Sequence, residues 1–308
     1  MSTLEGVVIR KSSRDVCVDA EGGVLRCSFR GRFRDRGEGR STAVVGDRVL
    51  VSKLAGGEGI LEKVLPRRSE LVRGTASGAS VVVAANVDRL LVILAAREPP
   101  PRWALVDRML VAAERDGLEP AVCLNKLDQA GPEGERTALE EILALYRRLG
   151  YGAFFVSALS GDGLEGLRSW LRDKTTVLSG HSGVGKSTLI NALSPSLDLA
   201  VGDLNQVTGK GRQTTTAVSL FKLPSGGYVA DTPGFREFQP VDLKPADLGR
   251  HYPEFRLVLE GARCRFSDCL HRIEPSCAVR KGVEEGAVSK MRYENYLQIL
   301  ASLLDPIR

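Results

Sequence analysis

The clearest chemistry in the sequence belongs to a glycine-rich stretch preceded by the apolar residues TTVLS. It reads Gly180-His181-Ser182-Gly183-Val184-Gly185-Lys186-Ser187 and continues into Thr188. This is the full pattern of a phosphate-binding loop, in which backbone N–H groups curl around phosphate oxygens at the start of a helix. Lys186 is predicted to neutralise the β- and γ-phosphates, and Ser187 to ligate Mg²⁺. The flanking segments predict a strand before the loop and a helix (KSTLINAL) after it, which is the setting that such a loop requires.

A second motif predicts which base is bound. Asn125-Lys126-Leu127-Asp128 directly follows the apolar residues AVCL. The Asp128 carboxylate can accept hydrogen bonds from guanine N1–H and the exocyclic amine, whereas adenine would leave it facing a lone pair, a mismatch worth on the order of 10⁴ in discrimination. Asn125 is expected to brace this loop and Lys126 to lie along the base. Ser157-Ala158, at the end of AFFVSA, fits a backbone contact to the guanine carbonyl, so the motifs together predict GTP.

Two further stretches could respond to the γ-phosphate. Residues 228–234 predict a strand that ends in Asp-x-x-Gly, where Asp231 would hold the Mg²⁺ shell through water and the Gly234 N–H would contact the γ-phosphate. Residues 209–216 are glycine-rich and then threonine-rich, and Thr215 is predicted to close over Mg²⁺. Asp-x-x-Gly and a threonine run are common on their own, and it is their position after a phosphate loop that favours these roles.

The order of the motifs is permuted. Most small G proteins place the phosphate loop first, whereas here Asn-Lys-x-Asp and Ser-Ala precede it. A circular permutation accounts for this order, because the termini of a domain often lie close together and the same sheet can be cut elsewhere. The chain then leaves the nucleotide-binding domain just after Gly234, so the γ-phosphate-sensing element connects directly to the C-terminal region.

That region contains three cysteines and one histidine within fourteen residues. The set is Cys264, Cys269, His271 and Cys277. These soft ligands suit tetrahedral Zn²⁺ with all four positions filled, which predicts a structural zinc site. The alternative is a group of buried cysteines beside a surface histidine, and it is disfavoured because the intervening residues are polar. The other cysteines, Cys17, Cys27 and Cys123, lie in strand patterns and are predicted to be core residues.

The elements that must position these motifs form a multidomain α/β protein with three predicted domains. Residues 1–72 read as short strands broken by glycine and predict a barrel of about five strands. Residues 73–240 alternate strands and helices, which predicts a parallel sheet with helices on both faces. Its helices are predicted at Trp103–Arg115, Glu133–Arg148 and Leu164–Leu171. Residues 241–308 form the predicted zinc-binding region, with a helix over residues 284–304.

Composition and charge narrow the class of protein. Of the 308 residues, 43% are hydrophobic and 26% charged, which excludes a largely disordered chain. No apolar run approaches the ~20 residues of a membrane span, and we expect a soluble, cytoplasmic protein without a membrane partner. The net charge is +5, and residues 1–70 hold 14 Lys and Arg against 10 Asp and Glu, so most of the excess lies there.

Much of this basic excess falls in a segment with almost no apolar residues. Its predicted RNA-contacting residues are Arg30, Arg32, Arg34 and Arg36. Each arginine alone would read as an ordinary solvated loop residue, and the prediction rests on the cluster. The alternative docking surface is the C-terminal helix, with Lys290, Arg292 and Tyr296.

In their permuted order, NKLD, SA, GHSGVGKST, TTT and DTPGF resemble the ribosome small-subunit-dependent GTPases of the RsgA/YjeQ family. The pattern CxxxxCxHxxxxxC behind them and the small barrel in front extend the resemblance over essentially the whole chain. The resemblance implies an oligonucleotide-binding-type barrel, a circularly permuted GTPase domain and a zinc domain. It also implies a role in late maturation of the 30S subunit, with GTP hydrolysis to GDP stimulated by that subunit. The partners implied are the 30S subunit and its rRNA, and we expect a monomer.

Two positions bear on hydrolysis. Where many G proteins place a water-orienting Gln, this sequence has Phe235, whose ring cannot donate a hydrogen bond, so intrinsic turnover should be slow. Family members usually carry His before the threonine run, and this sequence has Gln213. Our hypothesis is that Gln213 positions the attacking water once the ribosome orders this segment, completing a catalytic set with Lys186 and Thr215.

Two other functions remain open from the sequence. One is an RNA- or ribosome-binding module in which GTP is mainly a structural ligand. Phe235 is compatible with this function, because its ring cannot orient an attacking water. The other is a P-loop kinase acting on a small molecule, against which the NKxD and DTPG motifs argue. Multiple-turnover GTP hydrolysis would separate the first of these from an enzyme.

Overall fold

The computed structural model describes residues 3–12, 14–29, 43–74, 80–195, 218–231 and 243–305. Several predicted functional residues lie outside these ranges, namely Arg30, Arg32, Arg34, Arg36, Gln213, Thr215 and Gly234. Asp231 is described by its backbone. No helix of the described ranges combines the length and apolar character that crossing a membrane requires.

The N-terminal part is a closed five-stranded barrel, as predicted. Its strands are β1 (Thr3–Lys11), β2 (Asp15–Ala20), β3 (Gly23–Phe29), β4 (Arg48–Lys53) and β5 (Glu58–Val64). They pair in the order β1-β2-β3-β5-β4, and β4 pairs with β1 to close the ring. Alternate residues point inward, as the period of two in a strand requires, so that Val8, Val16 and Val49 are fully buried.

A hairpin that the sequence did not predict follows the barrel. It consists of β6 (Glu70–Gly74) and β7 (Ser80–Ala85), which pair antiparallel. The polar residues PRRSE at its start show no alternation typical of a strand. Leu71 and Ala84 are nevertheless buried in the core of the next domain. The predicted boundary at residue 72 lies within β6, and the division into domains stays a prediction.

The central part alternates strands and helices. It comprises β8 (Arg89–Ala95), α1 (Trp103–Arg115), β9 (Glu119–Asn125), α2 (Glu133–Arg148), β10 (Gly152–Phe155), α3 (Leu164–Leu171), β11 (Thr175–Ser179), α4 (Lys186–Leu193), β12 (Ser219–Lys222) and β13 (Tyr228–Asp231). Helices α1, α2 and α3 begin and end at the residues predicted from the sequence. The strand order is β10-β9-β8-β11-β13-β12, and all neighbours are parallel except β12 and β13. The sheet continues into the barrel, because β12 pairs with β1.

Both faces of this sheet are covered, as predicted. Along β8, Leu90 and Val92 pack against residues of α1 and α2, whereas Leu91 and Ile93 pack against residues of α3 and α4. Strands buried on both faces read as continuous apolar runs, which explains the segment RLLVILA. The predicted burial of cysteines holds for Cys27 and Cys123, while Cys17 is half-buried.

The C-terminal part is a helical cluster around aromatic side chains. A 3₁₀ helix (Pro245–His251) leads into α5 (Pro253–Gly261), α6 (Ala278–Glu284) and α7 (Lys290–Leu304). The single helix predicted over residues 284–304 is wrong at its start. Gly286 takes a left-handed φ of 77°, and the Val288 N–H donates to the Gly282 carbonyl, so α6 stops and α7 begins afresh.

The alternative docking surface on α7 is contradicted by burial. Arg292 and Tyr296 are each 1% exposed, and of the three named residues only Lys290 faces solvent. The Arg292 guanidinium donates to Asp107 on α1 and to Glu254 on α5. A buried charge is tolerated where it is paired and hydrogen-bonded, so Arg292 joins the C-terminal cluster to the central part instead of binding a partner.

Candidate functional site

The predicted phosphate loop connects the end of β11 to the start of α4. Gly183 and Gly185 adopt left-handed φ values of 85° and 87°, which turn the backbone around the buried side chain of Val184. The Lys186 ammonium donates to the carbonyls of Gly180 (2.7 Å) and His181 (3.0 Å), so it lies across the loop. The loop geometry and the start of α4 are suited to an anion, because the first N–H groups of a helix have no carbonyl partner within the helix.

Ser182, Ser187 and Thr188 complete the stretch around this loop. Ser182 is exposed at the tip of the loop, while Ser187 and Thr188 are half-buried in the first turn of α4. The Ser187 hydroxyl therefore belongs to the helix turn next to Lys186, where its predicted Mg²⁺-binding role requires it to be.

Asn125 joins the phosphate loop to the predicted base-reading loop. Its side chain is 1% exposed, and its Nδ2 donates to the Val184 carbonyl at 2.9 Å. Its Oδ1 accepts from the Ala158 N–H at 3.0 Å. A Cβ at Gly185 would lie 2.6 Å from the Asn125 Nδ2, so this contact requires glycine both for space and for φ. One amide thus connects all three predicted GTP-binding stretches.

Asp128, the residue predicted to bind guanine, lies in a single helical turn just after Asn125 and Lys126. Asp128 is exposed, and its carboxylate accepts a hydrogen bond from the Ser157 hydroxyl, whose residue is fully buried. Ser157 therefore orients Asp128, a role that the sequence analysis did not assign to it. Lys126 adopts a left-handed φ of 63°, and its ammonium donates to the Glu98 carbonyl at 2.6 Å.

The loop after β8 was missed by the sequence analysis. Besides the Glu98 carbonyl, it brings Pro99 Cδ within 3.7 Å of the position that a Cβ would take at Gly183. The loop therefore touches both the base-reading and the phosphate-binding loop. The run EPPP is its signal in the sequence, since consecutive prolines restrict the backbone to an extended form.

The GTP-binding loops lie together because of the positions of their strands in the sheet, not because of their order in the chain. In register, Leu91 of β8 is next to both Ala121 of β9 and Leu178 of β11, and Leu178 is next to Asp231 at the end of β13. The carboxyl ends of these parallel strands meet at one edge, which is where open α/β sheets bind ligands. The permuted motifs therefore converge as they would in an unpermuted domain.

The four predicted zinc ligands also converge. The ligand atoms of Cys264, Cys269, His271 and Cys277 all lie within 4.8 Å of one another. His271 Nδ1 is 3.5 Å from the Cys264 sulfur and 3.4 Å from the Cys277 sulfur, and these two sulfurs are 3.9 Å apart. Zn–S bonds of about 2.3 Å and Zn–N bonds of about 2.0 Å in a tetrahedron give ligand separations of about 3.5–3.8 Å. The donor set and its spacing therefore fit zinc.

Glu274 shapes the loop that carries these donors. Its carboxylate accepts hydrogen bonds from the backbone N–H groups of Leu270 (2.9 Å), Arg272 (2.7 Å) and Ile273 (3.0 Å). Partial burial by itself would raise the pKa of Glu274, but the backbone donors outweigh it and lower the pKa to about 2.

Helix α7 supports the same loop through hydrogen bonds from two of its tyrosines. The Tyr293 hydroxyl donates to the His271 carbonyl and the Tyr296 hydroxyl to the Leu270 carbonyl, each at 2.7 Å. His271 itself has a φ of 56°, which a non-glycine residue rarely adopts. Glu274 and Tyr293 were not singled out from the sequence, and Tyr296 was assigned to the alternative docking surface, because none of the three belongs to a ligand pattern.

Comparison with known proteins identifies the family. The family model described as RsgA GTPase matches residues 64–241. A small ribosomal subunit biogenesis GTPase RsgA from Azotobacter vinelandii is 42% identical over 306 residues, covering 98% of this chain and 86% of that protein. A protein of the same name from Caldanaerobacter subterraneus subsp. tengcongensis is 37% identical over 300 residues, covering 97% of this chain and 96% of its own length.

Solved structures agree with the sequence comparison. The crystal structure of YjeQ from Thermotoga maritima matches with a TM-score of 0.78 and 34% identity, over 98% of this chain and 99% of that one. YloQ, described as a circularly permuted GTPase, matches with a TM-score of 0.76 and 31% identity, over 100% of this chain and 97% of that one. The permuted order of motifs on a shared sheet and this near-complete similarity place the chain in the RsgA GTPase family, as an enzyme that hydrolyses GTP.

Proposed function

We propose that this GTPase binds the 30S ribosomal subunit, acts in its late maturation, and hydrolyses GTP to GDP and phosphate with stimulation by that subunit. The supporting observation is the junction at Asn125, which holds phosphate loop and base-reading loop in one arrangement suited to GTP. The small-subunit role is supported by the relatives, which are named small ribosomal subunit biogenesis GTPases.

In this proposal the chain's residues divide the work of binding GTP. Asp128, oriented by Ser157, accepts from guanine N1–H and the exocyclic amine. The Ala158 N–H, which donates to the Asn125 amide oxygen, would share its hydrogen with the guanine carbonyl. Lys186 exchanges its two loop carbonyls for phosphate oxygens, so the ammonium stays hydrogen-bonded whether or not the nucleotide is present. Mg²⁺, when bound, neutralises charge between the β- and γ-phosphates. Its protein ligands would be Ser187 and Thr215, with Asp231 acting through water.

The water-attack step depends on residues outside the described ranges. Gln213 would orient the attacking water and the Gly234 N–H would contact the γ-phosphate, with Phe235 leaving intrinsic hydrolysis slow. Replacing Gln213 with Ala is expected to lower 30S-stimulated turnover without changing GTP affinity. Unchanged stimulated turnover would rule out Gln213 as the positioning residue.

The flanking domains would serve binding and folding. Residues 1–72 form the proposed RNA-contacting barrel, residues 73–240 the GTPase domain, and residues 241–308 the zinc-binding domain, in a cytoplasmic monomer. Zn²⁺ would fill its site with four protein ligands and stabilise the loop around it. The four arginines between residues 30 and 36 would contact rRNA phosphates.

The arginine cluster has its own test. Replacing Arg30, Arg32, Arg34 and Arg36 together with Gln should weaken 30S binding and flatten its dependence on salt. A control variant neutralises Arg147 and Arg148 on α2, which removes charge elsewhere. Equal affinity of the 30–36 variant and the unaltered protein would move the docking surface away from this segment.

The deciding experiment is multiple-turnover GTP hydrolysis by the zinc-loaded protein, alone and with 30S, 50S or 70S particles. We expect strong stimulation by 30S subunits alone, because the sequence has Phe235 where many G proteins place the water-orienting Gln. Equal and slow turnover under all conditions would overturn the small-subunit role while leaving the GTPase assignment intact.

A further inference from the structure

The barrel is attached to one particular part of the GTPase sheet, the hairpin formed by β12 and β13. β12 is the edge strand of that sheet, and β1 pairs with it antiparallel, with Arg10 opposite Ser219. An edge strand exposes unpaired backbone N–H and C=O groups, and here the barrel covers part of that edge. Val7 and Ile9 of β1 also pack into the same core as Leu220.

A carboxylate of the barrel binds both strands of this hairpin at once. Asp19 lies on β2, and its side chain is 10% exposed. Its Oδ2 accepts a hydrogen bond from the Tyr228 hydroxyl at 2.6 Å and an ion pair from the Lys222 ammonium at 2.8 Å. Lys222 and Tyr228 are themselves register partners on β12 and β13. One oxygen therefore holds the two strands together at the turn end of the hairpin.

The two contacts differ in strength. The side chain of Lys222 is 63% exposed, and exposed ion pairs contribute little to stability because water screens them. Tyr228 is half-buried and its hydroxyl donates to a charged acceptor, which makes a stronger hydrogen bond than one between neutral groups. Burial and the Asp19 carboxylate both raise the pKa of Tyr228, so the hydroxyl remains a donor at neutral pH. The tyrosine contact is the dominant one.

The other side of the hairpin is held by the GTPase domain. The Tyr228 N–H donates to the Lys174 carbonyl at 2.9 Å. At Gly227, whose φ is 75°, a Cβ would lie 2.4 Å from the same carbonyl, so the close approach requires glycine. Lys174 directly precedes β11, the strand that ends in the phosphate loop. The turn end of the hairpin is therefore clamped between the barrel and the base of the phosphate-binding strand.

The open end of the hairpin leads to the residues predicted to sense the γ-phosphate. Ser219 and Asp231 are register partners there. Thr215 precedes Ser219 by four positions, and Gly234 follows Asp231 by three. All four residues of β12 are register partners of β13, and β13 is also paired along its whole length with β11. A change at the turn end therefore acts, through these paired strands, on both chain exits and on the strand that precedes the phosphate loop.

We propose that Asp19 is a positioning residue for GTP hydrolysis, which couples the barrel to the phosphate-sensing residues by holding Tyr228 and Lys222. The barrel is then part of the switching machinery of the enzyme as well as a binding domain. Reciprocity applies to binding free energies and not to kcat, so the proposal itself includes a difference in the barrel strands between the GDP-bound and the GTP-bound protein. This nucleotide-dependent difference requires no ribosomal partner.

The primary test uses the full zinc-loaded chain with GDP or with a non-hydrolysable GTP analogue, and measures amide hydrogen exchange in residues 3–20. In the unaltered protein, exchange in these strands is expected to differ at least about twofold between the two nucleotides. The variants rank by the contacts that they remove. Asp19→Ala should abolish the difference, Tyr228→Phe should remove most of it, and Asp19→Asn, which keeps an acceptor for Tyr228, should remove least.

Asp15→Ala is the matched control. Asp15 lies on the same strand as Asp19, but it pairs with Arg26 of β3 within the barrel. It should keep the nucleotide-dependent difference. The proposal is overturned if the unaltered protein shows no such difference, or if Asp19→Ala and Tyr228→Phe keep it in full. Tyr228→Phe, which deletes one hydroxyl, decides the matter should Asp19→Ala fail to fold.

A second readout separates positioning from simple stability. With 30S subunits, Tyr228→Phe should lower the stimulated kcat by about 2- to 30-fold at unchanged KM for GTP. An equal kcat would contradict the proposal, and so would a change confined to KM. Failure of 30S to stimulate the unaltered protein would instead refute the small-subunit role, while the exchange experiment still decides the coupling.

Discussion

The nucleotide site and the metal centre are built in opposite ways. The nucleotide site draws on strands far apart in the chain, from Asn125 to Asp231, whose ends meet because they lie side by side in one buried sheet. The metal centre draws on fourteen consecutive residues, Cys264 to Cys277, most of which belong to loops. Packing therefore preorganises the first site before any ligand arrives, whereas the second depends on its ligand.

A second contrast concerns how each loop is held. In the nucleotide site a neutral amide, Asn125, links backbone groups of neighbouring loops in a fully buried position. Around the metal centre a charged group, Glu274, collects N–H donors of one loop. The first arrangement does not depend on pH in the physiological range, while the second is lost once the carboxylate is protonated.

Removing zinc should give the largest effect, and it should spare the nucleotide site. Structural zinc contributes apparent binding free energies of about 10–16 kcal/mol in small domains. With a chelator, amide exchange in residues 263–277 should accelerate by about 10³-fold or more, while exchange in β8, β9 and β11 stays slow. Equal acceleration in both regions would break the comparison, because it would show that the sheet also depends on the metal.

Asp128→Asn should change the base preference of the nucleotide site. An amide presents a donor where guanine N1–H and the amine need an acceptor, so GTP binding should weaken by about 10⁴-fold. Xanthosine triphosphate, which carries a carbonyl in place of the amine, should bind better to the variant than GTP does. Zinc content serves as the control and should not change, since Asp128 is not one of the four candidate metal ligands. Unaltered GTP affinity would remove Asp128 from the base-reading role.

Asn125→Ala tests how much the single amide of Asn125 contributes to GTP affinity by holding the two loops in place. It leaves the Val184 carbonyl and the Ala158 N–H without their partner, at a cost of about 2–3 kcal/mol. GTP affinity measured by calorimetry should fall by about 30- to 150-fold. Asn86→Ala, which removes a buried amide that also joins two backbone groups, is the comparison variant and should change affinity far less. Similar losses in both variants would sink the idea.

Glu274→Gln should give the smallest effect, and one that depends on pH. The pKa of Glu274 is depressed from 4.5 to about 2 in the folded state, so its contribution to stability is complete above about pH 4.5 and is lost as pH falls toward 2. At pH 7 the free energy of unfolding of the variant should be lower by about 1–2 kcal/mol, measured by denaturant titration. In acid, the free energies of unfolding of the variant and the unaltered protein should converge. A pH-independent difference between the two proteins would show that the charge is not involved.

Much of the fold was accessible from sequence because its signals are local. The helices at Trp103–Arg115, Glu133–Arg148 and Leu164–Leu171 follow from apolar periodicity, and the structure has the same bounds. The phosphate loop and the zinc ligands are contiguous patterns whose chemistry is readable residue by residue. The hairpin β6–β7 was missed because its first strand has mostly polar neighbours and is stabilised by Leu71 packing against a distant core.

The residues that connect the parts of the molecule are those that the tertiary structure alone revealed. Arg292 reads as an exposed basic residue of a helix, yet partners on α1 and α5 bury it. Asp19 reads as a solvated strand residue, yet it binds Lys222 and Tyr228.

The sequence by itself therefore determined that the enzyme uses GTP and which four side chains could hold a metal ion, because recognition chemistry is carried by residue type and short spacing. The tertiary structure decided which elements hold those ligands and how the barrel meets the hairpin β12–β13. Such contacts join residues as far apart as Asp19 and Tyr228, and no local pattern of hydrophobicity or charge encodes which distant partner a side chain will meet.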